Sequence, residues 1–394
     1  MHEMTRRGYR LTAAAKHRKR KCHDMTSKGQ ESIYQPNSQR ILRTMTASRL
    51  TAVLPALFVL AALFVACQPI TPGVSQATPS TDDAGALIIY SGRSENLVAP
   101  LIERFATETG IRVEVRYGDT AEMAATILEE GSNSPADVFF GQDAGALGAM
   151  AKAGRLQTLP DALLERVPAQ FRSADGGWVG ISGRARVLAY NSNLVSPDEL
   201  PQDVWDLTGE QWRGKVGWAP TNGSFQAFVT ALRVLEGDER AAEWLQAMIA
   251  NDVQPYPNNT AIVDATASGE ISAGLVNHYY LYRFLAEQGD NFPARNYFFP
   301  SGGAGAMINI AGVGIVDTAR NVDAALRFVE YLASPEAQQY FAEETNEYPL
   351  SDASIPLPAD LPPLIAVQAP SLDLSDLDDL QGTLQMLQEV GALD

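Results

Sequence analysis

The sequence predicts an α/β fold in which a mainly parallel sheet is covered by helices on both faces. Short apolar segments typical of buried strands alternate with longer amphipathic segments that have helical spacing. Strands that are joined through helices run parallel, so this alternation indicates a sheet flanked by helices. The chain has 394 residues, of which 45% are hydrophobic and 20% charged, and is long enough for two ordinary globular domains.

The first part of the body contains three predicted strands separated by helices. In order, these are strand 86–90, helix 97–109, strand 111–117, helix 120–130 and strand 136–140. Ligands of such sheets bind beyond the carboxyl ends of the strands. We therefore expect the loops after Tyr90 and Phe140 to line a site. The following segment, 177–191, is predicted to form paired extended segments that cross from a first lobe to a second.

The second part of the body repeats the pattern. It comprises strand 215–218, loop 219–224, helix 225–235, helix 244–250, a helix ending at 268, strand 273–276 and helix 279–288. Asn259 or Thr260 is predicted to cap the helix that ends at 268. A strand at 311–316 is expected to return to the first lobe, followed by helices 322–333 and 335–345, the latter starting with a proline.

Two adjacent tyrosines, Tyr279 and Tyr280, open a predicted helix directly after a predicted strand. Neighbouring side chains at a helix start lie about 100° apart, so both hydroxyls can approach one point beyond the strand. Two phenol oxygens that converge indicate a hard, highly charged cation. The alternative that the pattern leaves open is a pair of aromatic side chains packed on either side of a core.

Charge is distributed unevenly along the chain. Residues 1–66 contain twelve Lys/Arg and three Asp/Glu, a balance of +9, which leaves 18 Lys/Arg and 44 Asp/Glu in residues 67–394, a balance of −26. So acidic a body is poorly suited to nucleic acid or an anionic membrane surface. His278 is the only histidine after residue 66, which argues against multi-histidine metal sites, and two cysteines, Cys22 and Cys67, cannot build a disulfide framework.

The segment before the body has the features of an export signal. Residues 54–66 are almost wholly apolar, too short for an ordinary membrane span, and are followed by Cys67. This end resembles a bacterial lipobox, in which the cysteine is lipidated and becomes the first mature residue. An uncleaved anchor with a chance cysteine is the alternative. Met45 is a plausible true start, because the stretch from there to residue 66 has a normal signal length.

The expected organisation has five parts and places the body outside the cytoplasmic membrane. These are a basic leader and lipoprotein signal peptide at 1–66, a flexible tether at 67–85, the first part of lobe 1 at 86–186, lobe 2 at 187–310, and a return to lobe 1 with C-terminal helices at 311–394.

An ordered set of motifs resembles the ferric-ion-binding substrate-binding proteins of bacterial ABC transporters. The set runs from residue 87 to the C-terminus without a large gap. Its members are segments 89–92 (IYSG), 135–140 (PADVFF), 182–187 (SGRARV), 220–225 (PTNGSF), 259–261 (NTA), 277–280 (NHYY) and 347–350 (EYPL). The resemblance implies a two-lobe periplasmic-binding-protein fold of type II, with the ligand in the cleft between the lobes.

By this resemblance Tyr279 and Tyr280 would be paired phenolate ligands of Fe³⁺, which suits anionic oxygen. A synergistic anion, phosphate or carbonate, would lie on the second lobe. The residues that match that anion site are Asn222, Gly223, Ser224, Asn259 and Asn277. Neutral amides and backbone N–H groups at a helix start suit an anion.

The first lobe departs from the family pattern. Ser94 and Glu95 stand where some members have His, or His and Tyr, and Gln142 stands where some have Glu; Phe225 occupies the neighbourhood of a third Tyr found in others. Glu95 and Gln142 are oxygen donors in suitable places. The alternatives are a helix N-terminal acid for Glu95 and an ordinary loop amide for Gln142.

The sequence leaves two rival functions. An enzyme would need His278 as a base, but no Gly-x-Ser-x-Gly elbow accompanies it, and the glycine-rich segment 301–306 lacks the Lys-Ser/Thr ending of a phosphate loop. We therefore expect no enzyme. The nearer rival is a binding protein of the same architecture for a phosphonate, a polyamine or another small anion. The expected partners are an ABC permease and, through Cys67, the membrane, with the protein itself a monomer.

Overall fold

A computed structural model describes residues 85–393. The predicted leader and Cys67 lie outside the described residues, as does the tether up to residue 84. In the described part, no helix is both long enough and apolar enough to cross a membrane.

Ten strands and eleven helices make up the described chain. The strands are β1 Leu87–Ser91, β2 Val113–Tyr117, β3 Val138–Gly141, β4 Val179–Asn191, β5 Val216–Trp218, β6 Gln254–Pro255, β7 Ala273–Asn277, β8 Ala294–Tyr297, β9 Ile308–Ile315 and β10 Tyr348–Pro349. The helices are α1 Glu95–Thr109, α2 Thr120–Glu130, α3 Ala144–Lys152, α4 Asp161–Leu164, α5 Gly223–Glu236, α6 Asp238–Ala250, α7 Asn259–Ser268, α8 Tyr279–Gln288, α9 Val322–Leu332, α10 Pro335–Glu344 and α11 Leu380–Glu389.

The strands form two sheet halves that share β4. The first half has the order β2-β1-β3-β9-β4, with β10 also on β4, and the second has the order β4-β7-β5-β6, with β8 also on β4. We call these halves, with their flanking helices, the first and second lobes. Every residue of β3, β7 and β9 is buried, as expected for apolar strands covered on both faces.

The α/β fold is confirmed, and its sheet is mixed. β1, β2 and β3 run parallel, as do β5, β6 and β7, whereas β4 and β9 run antiparallel to their neighbours. The antiparallel strands are those that leave one lobe and return to it, so they carry no helical crossover to the strand beside them.

The segment predicted as paired extended segments is instead the single strand β4. Its first part pairs with β9 up to Ala185, and from Arg186 onward it pairs with β7. The prediction of two segments is wrong, because the strand continues through Gly180 and Gly183 without a turn. Gly180 lies within the strand, where an added Cβ would be 2.6 Å from the carbonyl oxygen of Phe171, so glycine permits close packing there.

The end of the chain, 373–389, contacts both lobes, and we call it the C-terminal strap. A short 3₁₀ helix, Leu374–Asp378, packs mainly on α3 of the first lobe and also touches α5, and α11 packs on α5 of the second lobe. The strap therefore adds a connection between the lobes to those made by β4 and by the segment that leads into β9.

Candidate functional site

The two predicted tyrosine ligands lie side by side at the start of α8. Their ring centroids are 4.4 Å apart and the ring planes differ by 27°. Tyr279 is buried and Tyr280 half-buried. The rings therefore stack on each other and do not pack on opposite sides of a core.

Burial raises the pKa of the Tyr279 phenol above its ordinary value of 10, and neighbouring Tyr280 raises it further. Arg184 acts in the opposite direction, because its positive charge favours the phenolate. In the absence of a cation, burial and the neighbouring phenol together keep Tyr279 protonated. A ligand that binds its oxygen as phenolate must therefore displace a proton.

Two arginines of β4 interact electrostatically with the tyrosines. Arg184 donates from Nη2 to the carbonyl oxygens of Gln142 and of Ile310, the latter at 3.1 Å. Arg186 is fully buried, and its Nη2 donates to the Leu275 carbonyl at 3.1 Å, while its Nε and Nη1 have no partner in the described chain.

Arg186 forms no ion pair in the described chain. Its guanidinium lies over the rings of Phe225 and Phe228, with its central carbon 5.5 and 5.2 Å from their centroids. Burial lowers the pKa of this arginine to about 9, although Tyr280 and Tyr279 oppose the shift. A buried cation with two free N–H directions favours an anionic group beside it.

The predicted anion-binding residues Asn222, Ser224 and Asn259 are in contact. Asn222 caps α5, and its Oδ1 accepts from the Ser224 N–H at 3.1 Å, the Ser224 hydroxyl at 2.6 Å and Asn259 Nδ2 at 3.0 Å. Asn259 is buried and its Oδ1 has no partner. A Cβ added at Gly223 would meet nothing within 4 Å, so space is open above the start of α5.

Asn277 lies two residues before Tyr279. It is the last residue of β7, is buried, and lies opposite Arg186 in the sheet register. The cap of α7 differs from the prediction. Asn258, not Asn259 or Thr260, accepts the Ala261 N–H at 2.9 Å, which leaves Asn259 at the first helical position and free to face Asn222.

His278 is held away from the site by backbone groups. Its Nδ1 accepts from the Ala185 N–H at 3.0 Å, and its Nε2 lies 2.8 Å from the carbonyl oxygen of Asn346. An acceptor at Nδ1 and a carbonyl at Nε2 require the neutral tautomer with hydrogen on Nε2. Burial lowers the pKa of His278 to about 4, in keeping with a neutral ring that orients the start of α8.

The two first-lobe candidates differ in their surroundings. Glu95 is exposed in the first turn of α1. Burial of Tyr117 raises the pKa of that phenol, and the negative charge of Glu95 raises it further. Gln142 follows β3 and is half-buried; its N–H donates to Thr120 Oγ1 at 3.1 Å and its carbonyl accepts from Arg184. The backbone of Gln142 is therefore fixed by two side chains of the first lobe.

A buried ion pair that sequence reasoning did not single out lies in the first lobe, next to the residue that contacts His278. Arg93 Nη2 donates to Glu347 Oε1 at 2.8 Å, and Ser182 donates to the other carboxylate oxygen. The preceding residue, Asn346, has φ of 55° and accepts the His278 hydrogen bond. Two consecutive residues, Asn346 and Glu347, thus contact both the loop before α1 and the start of α8.

A signal for the missed arginines exists in the sequence. Arg184 and Arg186 are two residues apart in an otherwise small and apolar strand, so both point to one face of the sheet. Between residues 85 and 393 no group of three or more His, Cys, Asp or Glu side chains is arranged to hold a metal ion. Protein donors to a cation at this site would therefore have to include the tyrosines.

A cavity of about 700 Å³ lies elsewhere, between residues 158–176 and 369–373. Its charged lining consists of Asp161, Glu165, Arg172, Asp175 and Asp373, and none of the predicted site residues contributes to it. No buried polar group without a partner points into it. The stacked tyrosines and buried arginines therefore remain the chemically distinctive place in the described chain.

Comparison with known proteins defines the class to which this fold and site belong. Residues 100–366 match the family of bacterial extracellular solute-binding proteins. The chain belongs to this family, which consists of binding proteins and not of enzymes, so the prediction of a non-enzyme is confirmed.

Individual relatives indicate a narrower class of ligand than the family does. The chain is 31% identical over 324 residues to the major ferric iron-binding protein of Neisseria meningitidis serogroup A, covering 81% of this chain and 96% of that one. Among solved structures, iron-bound HitA from Pseudomonas aeruginosa superposes with a TM-score of 0.71 at 31% identity, covering 78% of this chain and 99% of that one. A Trichodesmium protein in complex with iron and citrate superposes at 0.69 with 34% identity over 78% and 99% of the two chains. These similarities confirm the two-lobe binding-protein fold.

Proposed function

We propose that this protein binds ferric ion in the cleft between its lobes, with Tyr279 and Tyr280 as phenolate ligands. The observation that carries the proposal is the stacked tyrosine pair beside two buried arginines, where positive charge favours the ionised phenols. Fe³⁺ is small, hard and trivalent, and on contact it displaces the phenol protons that burial otherwise retains. A relative of this chain is named for ferric iron, and one similar solved structure is iron-bound.

Charge balance supports a second ligand, a synergistic anion. Arg184 and Arg186 together offset the two phenolates, so a bound Fe³⁺ leaves its own three charges without a counter-charge from these four side chains. Charge buried away from water is costly unless it is paired. Phosphate or carbonate, or a carboxylate such as citrate, supplies that charge.

The anion is proposed to bind at the start of α5. Asn222, Gly223 and Ser224 form the turn into this helix, and the helix start provides N–H groups and a positive dipole end. Asn259 donates to Asn222, and Asn277 lies opposite Arg186 in the sheet. Arg186 lies against Phe225 and Phe228 of the same helix and adds a full charge. The anion thereby bridges the amide cluster and the tyrosine-bound iron.

First-lobe ligands are proposed as Glu95 and Gln142. Glu95 is exposed and free to turn toward the cleft, and Gln142 has its backbone held in place while its side chain is half-buried at the end of β3. Both supply oxygen, the donor that Fe³⁺ prefers. Where Glu95 or Gln142 does not reach the iron, water or the synergistic anion completes its coordination.

The transport role follows from the family and the predicted leader. We propose that the protein is exported, lipidated at Cys67 and tethered to the outer face of the membrane or in the periplasm. There, as a monomer, it would capture iron and pass it to an ABC permease.

Adding ferric citrate to the purified protein tests the iron assignment. We expect a visible phenolate-to-iron charge-transfer band, which Tyr279→Phe with Tyr280→Phe abolishes. Tyr331→Phe is the matched control, because its hydroxyl has no partner in the described chain and lies on α9. No band in the parent protein, or a band that survives the double substitution, would show that iron is not bound by these phenols.

One alternative has a specific observation in its favour. The unpaired N–H groups of buried Arg186 suit a phosphonate or another small anion that binds without metal. The same arginines disfavour a polyamine, which is cationic. Calorimetric titration with phosphate or methylphosphonate in metal-free solution distinguishes the two: tight binding without iron favours the anion, whereas binding only in the presence of iron favours the ferric site.

A further inference from the structure

Adjacent carboxylates of the C-terminal strap are held by opposite lobes. Asp378 accepts from Lys152 Nζ of α3 at 2.9 Å, and Asp379 accepts from Arg233 Nη2 of α5 at 2.8 Å. Consecutive Cα atoms are only about 3.8 Å apart. A single peptide unit therefore joins an anchor on the first lobe to an anchor on the second.

The first-lobe anchor depends on close backbone packing. A Cβ at Gly145 would be 2.3 Å from the Leu377 carbonyl oxygen, and one at Gly148 would be 2.4 Å from that of Ser375. Only glycine allows the strap to approach α3 so closely. Lys152, one turn further along the helix, holds the strap at its edge.

The second-lobe anchor is a hydrogen-bonded cluster around Arg233. Its Nη1 donates to the Asp379 carbonyl at 3.0 Å and to Thr383 Oγ1 at 2.9 Å. Thr383 in turn shares a hydrogen bond of 2.8 Å with Thr230, and both threonines are buried. Arg233 is only 11% exposed, so this cluster is shielded more than an ordinary surface ion pair.

Both anchored helices lead to the candidate site. α3 begins directly after Gln142 and Asp143, and α5 begins at the turn capped by Asn222. A shift of either helix along its axis moves a candidate residue of one lobe relative to the other. The strap lies beyond residue 366, where the match to the family ends, so family membership does not assign it this role.

We propose that the strap is an interlobe restraint, and that Lys152 and Arg233 are positioning residues that fix the separation of the two lobes. The anchors act in series, because the strap can hold the lobes only while both ends are attached. Releasing either end should loosen the lobes to the same extent, and releasing both should add nothing. This restraint rests on the fold; its effect on iron affinity rests also on the proposed function.

Interlobe distances measured by double electron–electron resonance test the proposal without iron. Labels attach through Glu129→Cys on α2 and Glu287→Cys on α8, both exposed, in the full chain with Cys22→Ser and Cys67→Ser. Lys152→Ala with Gly148→Ala releases the first-lobe anchor, and Arg233→Ala releases the second. We expect either release to broaden the distance distribution, and the triple variant to match the single releases.

Arg240→Ala is the control, since it removes an exposed ion pair on α6 that does not touch the strap. A distribution that stays narrow in folded variants, or one that broadens additively, would overturn the restraint. In an iron titration of the same variants we expect affinity to fall about fivefold or more, because fewer molecules hold the binding geometry. If distances broaden while no protein binds iron, the proposed function fails and the restraint stands.

Discussion

At the scale of single residues, Glu347 and Asn346 link the two sides of the candidate site. Glu347 binds Arg93 of the loop before α1, and Asn346 accepts the hydrogen bond of His278 at the start of α8. Burial alone would raise the pKa of Glu347, but Arg93, Arg184 and Ser182 outweigh it and hold the pKa below the ordinary 4.5. The carboxylate is thus ionised and paired at neutral pH.

Replacing this carboxylate by its amide should cost much of the protein's stability. Glu347→Gln keeps the shape of the side chain but leaves Arg93 buried without a counter-charge. We expect the free energy of unfolding, measured with denaturant, to fall by about 3–5 kcal/mol. Glu243→Gln, which removes the exposed pair with Arg240, should change it by no more than about 0.5 kcal/mol.

The same variant should alter the response to acid. Because the pKa of Glu347 is lower in the folded chain, the carboxylate adds stability that is complete above pH 4.5 and is lost as the pH falls through the folded value. Unfolding measured from neutral pH downward should therefore show a smaller acid-induced loss in Glu347→Gln. An identical pH slope in both proteins would contradict the assigned ion pair.

Proton release offers a residue-level test of the tyrosines. A phenol must lose its proton on becoming a phenolate ligand, and burial holds Tyr279 in its protonated form until then. Adding ferric citrate in weak buffer should release about one proton per phenol beyond that from ferric citrate alone. Tyr279→Phe should reduce the release by one of these protons, whereas a reduction equal to that of Tyr331→Phe would exclude Tyr279 as a ligand.

At the scale of elements, the strands made of continuous apolar runs could be predicted from the sequence, whereas the extents of β4, which both lobes share, and of its partner β9 could not. β1, β3 and β7 lie within a residue or two of their predicted positions, because each is a short buried run bounded by turn residues. β4 was predicted incorrectly, since nothing local shows that its glycines pack against Phe171 and Leu350. The return strand β9 begins at Ile308, earlier than expected, because its partner β4 extends the ladder.

The candidate site also has parts that could be predicted from the sequence and parts that could not. The tyrosine pair and the asparagine turn are contiguous in sequence, and their proximity follows from the strand–helix order. The approach of Arg186 to α5 and of Arg93 to Glu347 depends on pairings between distant segments. Such contacts have no local pattern, so the charges that surround the tyrosines emerge only from the fold.

The turn into α5 can be tested as an element. Asn222→Ala removes the helix cap and the acceptor shared by Ser224 and Asn259, and should cost about 0.5–2 kcal/mol of unfolding free energy. It should also weaken the dependence of the iron charge-transfer band on phosphate. Asn258→Ala is the matched control: it removes the cap of α7 at similar cost but leaves this cluster intact. Equal phosphate dependence in both variants would place the anion elsewhere.

At the scale of the whole molecule, the two-lobe form was implied by the resemblance and is confirmed by the solved structures that match it. The strap was not anticipated, because an acidic tail before a short helix is usually solvent-exposed. Two of its acidic residues instead form ion pairs with Lys152 and Arg233, one on each lobe. A body with a balance of −26 thus uses part of its charge for internal connections.

The shared strand makes the second lobe an insertion with adjoining ends. The Arg186 N–H donates to the Met307 carbonyl at 2.8 Å, and the neighbouring residues Ala185 and Ile308 are opposite each other in the ladder. Segment 186–307 therefore leaves and re-enters the first sheet at one place. It contains both tyrosines, Arg186 and all five proposed anion-binding residues. We therefore expect replacement of this segment to change the ligand chemistry while the first sheet remains as the frame.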